Sequence, residues 1–244
     1  MKKLQIFLLF LICNLQSAIC NHLYAVSETE IFSTGCEFYK KSNYEKALEQ
    51  FLIIEKSYPS TNLFYNLGNT YFRLGRIGLA MVYYEKARKI SPADDDVNYN
   101  IKFIAQLIKD PDYEQSLISR FNINRLRLLF AISLFSFVVV ISIKFVYPFK
   151  KMFWLVVVSV LFFGFFSALY LIKYRQQARQ EAVVINTAEV RSGPDTNFKV
   201  NFTVPEGKKV ILLGTSGEGG EWLEIGVKSL GVRGWVEKKY IEII

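Results

Sequence analysis

The stretch YNLGNTYFRLGRIGLAMVYYEKA, residues 65–87, decides the fold of this 244-residue chain, because its order of small and aromatic residues occurs twice. The first copy lies 33 positions earlier, and the matched pairs are Gly35 and Gly68, Phe38 and Tyr71, Ala47 and Ala80, Phe51 and Tyr84, and Pro59 and Pro92. Such a fixed period is the signature of stacked, similar structural units. Small residues let two helices approach closely, aromatic rings fill the gap, and a proline ends each unit. The sequence therefore predicts a helical repeat.

A partial third copy extends the repeat. Asn66 and Leu67 recur 34 positions later as Asn100 and Ile101. This recurrence predicts a third helix of the first type, which runs to about residue 108 and ends at the Asp110–Pro111 pair. Because a stack of repeats needs a solvated end, we expect this helix to cap it. The helical module is therefore predicted over residues 28–108, as two repeats plus a capping helix.

The spacings resemble the tetratricopeptide repeat, whose period is 34 residues. The resemblance implies that the first helix of each repeat lines a concave face that binds peptides. In the family pattern the exposed groove positions of the second repeat are Asn62, Tyr65, Asn69, Phe72 and Arg73, and the third helix is expected to add Tyr99 and Phe103. Amides and an arginine beside aromatic rings suit an extended peptide backbone or a carboxylate. The alternative is that these side chains are merely solvated and that Phe72 packs locally.

Two long apolar runs follow the repeat. Residues 126–146 are interrupted by charge only near their two ends, at Arg127 and Lys144, and residues 152–172 carry no charge. Each run has 21 residues, and about 20 helical residues span the roughly 30 Å hydrocarbon core of a bilayer. Two helices buried in a soluble core are the alternative, but a chain of this size is too small to hide both. With the short connection at residues 147–151, the runs predict a transmembrane helical hairpin.

The formal net charge of +8 is concentrated around the apolar runs. Residues 120–180 hold nine basic and no acidic residues, whereas residues 21–119 hold 11 basic and 13 acidic, and residues 181–244 hold 8 and 9. Nucleic-acid binding needs a basic patch on a folded module, and neither flanking module has a basic excess. Basic residues beside membrane spans more naturally face lipid headgroups. We therefore expect no nucleic-acid partner and a lipid bilayer as one partner.

The N-terminus predicts export from the cytoplasm. Residues 2–3 are lysines, and the apolar stretch that follows them ends with Ala18-Ile19-Cys20, which has small residues at the positions read by a signal peptidase. We place a signal peptide at residues 1–20, with cleavage after Cys20. Lipidation of Cys20 is the alternative, but Ile19 is bulky where a lipid-attachment motif has Gly or Ala.

Two spans return the chain to the side from which it entered the membrane. The leader therefore places both soluble modules on the periplasmic face of a bacterial inner membrane, and it does so even if it is retained as an anchor. Lys150 and Lys151 in the connecting loop should then face the cytoplasm. The charge rule alone is undecided, because six cations flank the hairpin at its other end: Arg120, Arg125, Arg127, Lys173, Arg175 and Arg179.

Residues 183–244 change to β-forming and turn residues, and about five short strands are predicted. The motif residues are Ala188–Pro194, Pro205–Gly207, Trp222 and Gly231–Val236. They resemble the bacterial SH3 family, which implies a small all-β barrel. Trp222 and Trp235 are predicted to fill its core rather than to form a ligand platform. Phe198 and Phe202 are candidates for a surface cleft.

The order of leader, tetratricopeptide repeats, transmembrane hairpin and SH3-like domain resembles the E-type proteins of the Bacteroides aerotolerance (Bat) operon. The motifs that carry this resemblance lie in residues 60–105 and 183–244. The resemblance implies a non-enzymatic scaffold in an envelope complex, with von Willebrand A-domain membrane proteins as partners, a link to a MoxR-type ATPase, and a role in tolerating oxygen or envelope stress. The alternative is a protein that binds or senses peptidoglycan through its SH3-like domain.

The sequence predicts neither catalysis nor a cofactor or metal site. A nucleophile, a base and an orienting group do not occur together in any segment, and no phosphate loop or dinucleotide fingerprint is present. The one histidine, His22, lies beside the leader, and Cys36 is the only cysteine outside the N-terminal apolar stretch. Residues 94–96, three aspartates, are expected to cap a helix and complement its dipole rather than bind a metal.

Overall fold

The computed structural model describes residues 28–111, 113, 120–147, 152–216, 220–228 and 231–244. In this part of the chain the α-helices are α1 (28–40), α2 (Tyr44–Ile53), α3 (Thr61–Arg73), α4 (Ile77–Ile90), α5 (Asp95–Leu107), α6 (Ile123–Val146) and α7 (Phe153–Gln177). The strands are β1 (Glu181–Val184), β2 (Ala188–Arg191), β3 (Val200–Val204), β4 (Lys209–Ser216), β5 (Trp222–Val227), β6 (Val232–Glu237) and β7 (Ile241–Ile243). The predicted signal peptide and the loop lysines 150 and 151 lie outside the described residues.

Helices α1 to α5 stack as the repeat predicts, with aromatic rings packed against glycines. A Cβ atom placed on Gly35 would lie 2.5 Å from the ring of Phe51, and one on Gly68 would lie 2.6 Å from the ring of Tyr84. The expectation that aromatic rings fill the gap beside small residues is therefore confirmed in both repeats. Glycine has only a hydrogen atom in place of a side chain, so each ring can pack directly against the neighbouring helix. Both rings are part of the buried core.

Polar side chains fix where several of these helices begin. The backbone N–H of Leu63 donates to the Ser60 hydroxyl at the start of α3 (3.2 Å), and that of Val97 donates to the Asp94 carboxylate at the start of α5 (3.0 Å). These bonds satisfy donors that a helix N-terminus leaves without internal partners. The expected capping role of Asp94 is confirmed, and α5 ends at Leu107, before the Asp110–Pro111 pair that was predicted to stop it.

Helices α6 and α7 pack against each other as a hairpin of two long apolar helices. They are 24 and 25 residues long, and in their most apolar stretches only 11% and 6% of the residues are buried. Helices in the core of a soluble domain are mostly buried, so this exposure favours membrane anchoring over the soluble alternative. Phenylalanine and tyrosine rings hold the pair together, for example Phe137 and Phe163, whose ring centroids are 5.3 Å apart.

The strands form an antiparallel sheet in the order β3-β2-β6-β5-β4-β1-β7. Its inner face buries alternate residues, as in β5, where Leu223, Ile225 and Val227 are buried. We call residues 181–244 the SH3-like barrel and residues 28–108 the helical module. Together with the hairpin they confirm the predicted fold class, a multidomain membrane protein with an all-α tetratricopeptide helical repeat, a two-helix transmembrane hairpin and a small all-β SH3-like barrel.

The two tryptophans of the barrel do not fill its core, and the prediction that they would is wrong. Trp222 and Trp235 are half-buried and lie on the face opposite the core, where Trp235 faces Glu224 across the ladder. The core is instead built from aliphatic side chains. Of the two phenylalanines proposed for a cleft, Phe202 packs against this core, while Phe198 is 47% exposed and covers Gly193.

Candidate functional site

The predicted groove residues lie on α3 and α5, the first helices of the second and third units. Asn62 and Arg73 are exposed, whereas Tyr65, Asn69 and Phe72 are half-buried. We call the surface formed by these five residues together with Tyr99 and Phe103 the concave face. The family pattern predicts that these positions bind a peptide, and their role in binding stays a prediction.

Asn69 is at the centre of the hydrogen bonds that join the helices behind this face. Its Oδ1 accepts from the Tyr84 hydroxyl (2.6 Å) and from Nδ2 of Asn100 (3.1 Å). Burial raises the pKa of Tyr84 far above its ordinary value, so its hydroxyl stays a donor. These two donors fix the carbonyl side of the amide. Among the described residues the Asn69 Nδ2 group has no acceptor, and its two N–H groups can therefore serve a peptide carbonyl.

Arg73 supplies a permanent positive charge at the edge of the concave face. Its guanidinium interacts with the Tyr39 hydroxyl of α1, which raises the pKa of Arg73 above its ordinary value. The side chain remains exposed. An exposed arginine beside an amide can pair with a carboxylate or an electronegative backbone group.

An apolar strip lies next to these polar groups on α5. Tyr99, Phe103 and Leu107 are 68%, 44% and 55% exposed, and their spacing of four residues puts them on one side of the helix. Phe72 lies edge-on to Phe103 with ring centroids 5.8 Å apart, so it does pack locally, as the alternative interpretation stated. Large exposed apolar side chains in a row are a mark of interaction surfaces. Leu107 was missed from the sequence, although its spacing from Phe103 could have revealed it.

The SH3-like barrel docks on the helical module, which no sequence motif had indicated. The Glu206 carboxylate accepts a hydrogen bond from the backbone N–H of Gly78 (2.7 Å), in the first turn of α4. The residue before that helix, Arg76, provides no side-chain cap. A carboxylate from a residue 128 positions away therefore caps α4 and complements its dipole. We call the contact between the two modules the joint.

Close backbone approach and a buried ion pair hold the joint. A Cβ atom on Gly78 would lie 2.6 Å from the Cα of Ile185, so the position requires glycine. Lys208 Nζ pairs with Asp110 Oδ1 at 2.6 Å, and both side chains are only 6% exposed. Val183 of β1 belongs to the core of the helical module, with Ile185 and Ile244 packed against it.

A second ion-pair cluster lies beside the joint and centres on Glu85 of α4. Arg88 Nη2 lies 2.5 Å from one carboxylate oxygen of Glu85, and Lys209 Nζ of the barrel lies 3.7 Å from the other. Lys209 also pairs with Glu181 at 2.7 Å. Burial by itself would raise the pKa of Glu85, but Lys209 and Arg88 outweigh it and hold that pKa below its ordinary value.

The low pKa of Glu85 predicts a loss of stability in acid. Because its carboxyl has a lower pKa in the folded than in the unfolded chain, its stabilisation is complete above the unfolded value and is lost as the pH falls through the folded value. In detergent, a Glu85→Gln variant should be less stable than wild type at neutral pH. The difference in melting temperature should shrink as the pH is lowered from neutral to below 4.5, the ordinary pKa of the carboxyl. Parallel curves over this range would show that Glu85 does not carry the effect.

Comparison with known families identifies two of the modules. The chain matches the tetratricopeptide repeat family over residues 61–94 and the bacterial SH3 domain family over residues 186–242. A comparison with curated proteins gave no match. Each family match covers less than half of the chain, and the two matched segments lie within the helical module and the barrel described above. The chain therefore contains a tetratricopeptide repeat and a bacterial SH3 domain, both of them interaction modules, beside two apolar helices.

Proposed function

We propose that this chain is a non-catalytic, membrane-anchored scaffold that binds segments of other envelope proteins on its concave face. The observation that carries the proposal is the arrangement around Asn69. Its carbonyl is held by two donors, its N–H groups have no acceptor among the described residues, and it lies between Arg73 and an exposed apolar strip. An extended peptide could place a backbone carbonyl on the amide and an apolar side chain on the strip.

The domain division and the orientation are part of the proposal. We assign residues 1–20 to a signal peptide, 28–108 to the helical module, 126–146 and 152–172 to membrane spans, and 183–244 to the bacterial SH3 domain. The leader and the even number of spans support a location in a bacterial inner membrane with both modules facing the periplasm. Anchoring confines the scaffold and its partners to one surface, which raises the effective concentration for weak contacts.

The resemblance to E-type proteins of the Bat operon supports a more specific version. In it the partners are membrane proteins with von Willebrand A domains, and the complex serves tolerance of oxygen or envelope stress. The half-buried Cys36 packs against the core of the helical module, and burial raises the pKa of its thiol. A protonated thiol is a poor nucleophile, so we assign no redox role to Cys36.

Partner capture tests the concave face with a matched pair of double variants. Arg73→Ala with Phe103→Ala removes one cation and one apolar side chain from the face. Arg76→Ala with Ile90→Ala makes the same kind of change at the two ends of α4, and Phe103 and Ile90 are equally exposed at 44%. After mild detergent extraction, we expect the first variant to recover A-domain proteins about tenfold less well than wild type, the effect of losing about 1.4 kcal/mol of binding.

The outcomes separate the general proposal from its specific version. Equal recovery with both variants would contradict binding on the concave face. If wild type recovers no A-domain protein but a different envelope protein is lost only with the first variant, the assignment to the aerotolerance complex fails and the scaffold remains.

Peptidoglycan binding by the barrel is the second candidate, because it belongs to the bacterial SH3 family and because Trp222 and Trp235 lie outside its core. Sedimentation of the full-length protein with purified peptidoglycan tests it. Retention that is lost with Trp222→Ala but kept with the concave-face variant would favour this function.

A further inference from the structure

The ends of the hairpin that adjoin the soluble modules enclose a cleft between α6 and α7. It has a volume of about 330 Å³, near the lower end of the roughly 300–1,000 Å³ of small-molecule sites. Its lining residues are Ile123, Asn124, Arg127, Tyr170, Tyr174, Gln177 and Ala178. Four of the seven carry a hydrogen-bonding group on an uncharged side chain and one is cationic.

The cleft lies at the depth of lipid headgroups if the hairpin crosses a bilayer. The 25 residues of α7 extend about 37 Å, which exceeds the roughly 30 Å hydrocarbon core. The ends of the hairpin therefore project into the headgroup layer. Arg127 is the fifth residue of α6, and Tyr174 is the fourth from the end of α7. Arginine and tyrosine are the side chains that suit this layer.

Arg127 has no carboxylate partner in the part of the chain that the structure describes. Its hydrogen bond there goes from Nη2 to Oδ1 of Asn124, at 3.1 Å, and residues 120–180 contain no acidic residue at all. Arg120, at the same end of the hairpin, is instead neutralised by Asp95 of the helical module at 2.7 Å. A guanidinium has five donors and stays charged, so Arg127 calls for an anion from outside the chain.

The aromatic wall of the cleft is held in place by packing. Tyr170 stacks on Phe130 of the neighbouring helix with ring centroids 5.4 Å apart, and Tyr174 lies against Tyr170 at 6.1 Å. Neither tyrosine hydroxyl has a hydrogen-bond partner among the described residues. Rings that are positioned before a ligand arrives lower the entropic cost of binding it.

We propose that this cleft binds the phosphate group of an anionic phospholipid. The Arg127 guanidinium pairs with the phosphate, the hydroxyls of Tyr170 and Tyr174 donate to its oxygens or to the glycerol, and the acyl chains run along the apolar surfaces of α6 and α7. The site requires the hairpin to lie in a bilayer, but it does not depend on peptide binding by the concave face. The site also gives a role to Arg127, one of the cations at the end of the hairpin that adjoins the soluble modules. The positive-inside rule does not predict cations at that end.

Lipid retention by the full-length protein tests the site. Wild type, Arg127→Gln and Arg125→Gln are purified in mild detergent and titrated with phosphatidylglycerol or phosphatidylcholine, and bound lipid is measured by native mass spectrometry. Arg125 is the matched control, because it is an exposed cation two residues away that does not line the cleft. We expect wild type to prefer phosphatidylglycerol, Arg127→Gln to bind it about tenfold more weakly, and Arg125→Gln to bind it like wild type.

Two further variants and a competition experiment identify the source of the phosphate and control for misfolding. Tyr174→Phe removes only a hydroxyl and should weaken phosphatidylglycerol binding without changing the melting temperature, and Arg127→Lys should retain part of the affinity. Inorganic phosphate should not compete. Competition at millimolar phosphate would show a site for free phosphate rather than lipid. Equal losses in Arg127→Gln and Arg125→Gln, or no lipid preference in wild type, would overturn the proposal.

Discussion

Replacing Lys208 with methionine is expected to destabilise the joint by about 3–5 kcal/mol, the usual effect of breaking a buried ion pair. Lys208 and Asp110 are each 6% exposed and their charged atoms are 2.6 Å apart. Methionine preserves much of the length of the side chain but removes its charge, which leaves the Asp110 carboxylate away from water without this cation. Hydrogen exchange in detergent should then show faster exchange of the amides in α4 and β1.

Two further variants show whether charge or packing is responsible. Lys208→Met combined with Asp110→Leu removes both charges, and it should recover most of the lost stability, because an apolar pair of similar volume is often as stable as a buried ion pair. Lys239→Met breaks an exposed pair with Glu237, in which the lysine side chain is 62% exposed, and should change stability by less than about 1 kcal/mol. If the double variant were no more stable than Lys208→Met, the ion-pair explanation would be wrong.

Replacing Gly68 with valine should unfold the helical module or destabilise it by about 3 kcal/mol, at the upper end of overpacking effects. A Cβ atom at this position would lie 2.6 Å from two atoms of the Tyr84 ring. That ring cannot move aside easily, because it is 2% exposed and its hydroxyl donates to Asn69. The loss should appear as a lower melting temperature of the helical signal and as faster exchange in α3 and α4.

Gly164 provides the matched control for this change. It also lies within a helix, α7, but a Cβ atom there would meet nothing within 4 Å. Gly164→Val should therefore leave the melting temperature of the helical module unchanged. A second check combines Gly68→Val with Tyr84→Ala, which makes room for the new side chain and should cost less than the sum of the two single changes. Additive losses would show that the two residues do not clash.

The sequence predicted the helical module well because equivalent positions in successive repeats make equivalent contacts. Gly35 meets Phe51 and Gly68 meets Tyr84 in the same way, and these are residues that recur at the 33-residue period. The hairpin was also predictable, since the length of an apolar run is set by the thickness of the bilayer. The hydrogen bonds of Asn69 to Tyr84 and Asn100 were not, because they depend on how three helices are rotated.

For the barrel, the predicted fold class was correct, but the prediction that Trp222 and Trp235 fill the core was wrong. In β5 the buried positions are Leu223, Ile225 and Val227, every second residue, and Trp222 belongs to the other face. The alternation of side chains along a strand indicated this placement, whereas the large apolar area of the indole suggested burial. The joint could not be predicted in this way, since Glu206 and Gly78 are distant in the sequence and each lies in an ordinary local structure.

Only three residues separate the end of α7 from the start of β1, and so short a segment extends at most about 10–14 Å. The barrel therefore cannot swing far from the bilayer, and the joint passes this restriction on to the helical module. Gly207 of the barrel lies against Ile104 and Ile108, on the side of α5 away from Tyr99 and Phe103, so docking leaves the concave face open. A protein segment bound there would therefore be held at a fixed height and a fixed angle above the lipid surface.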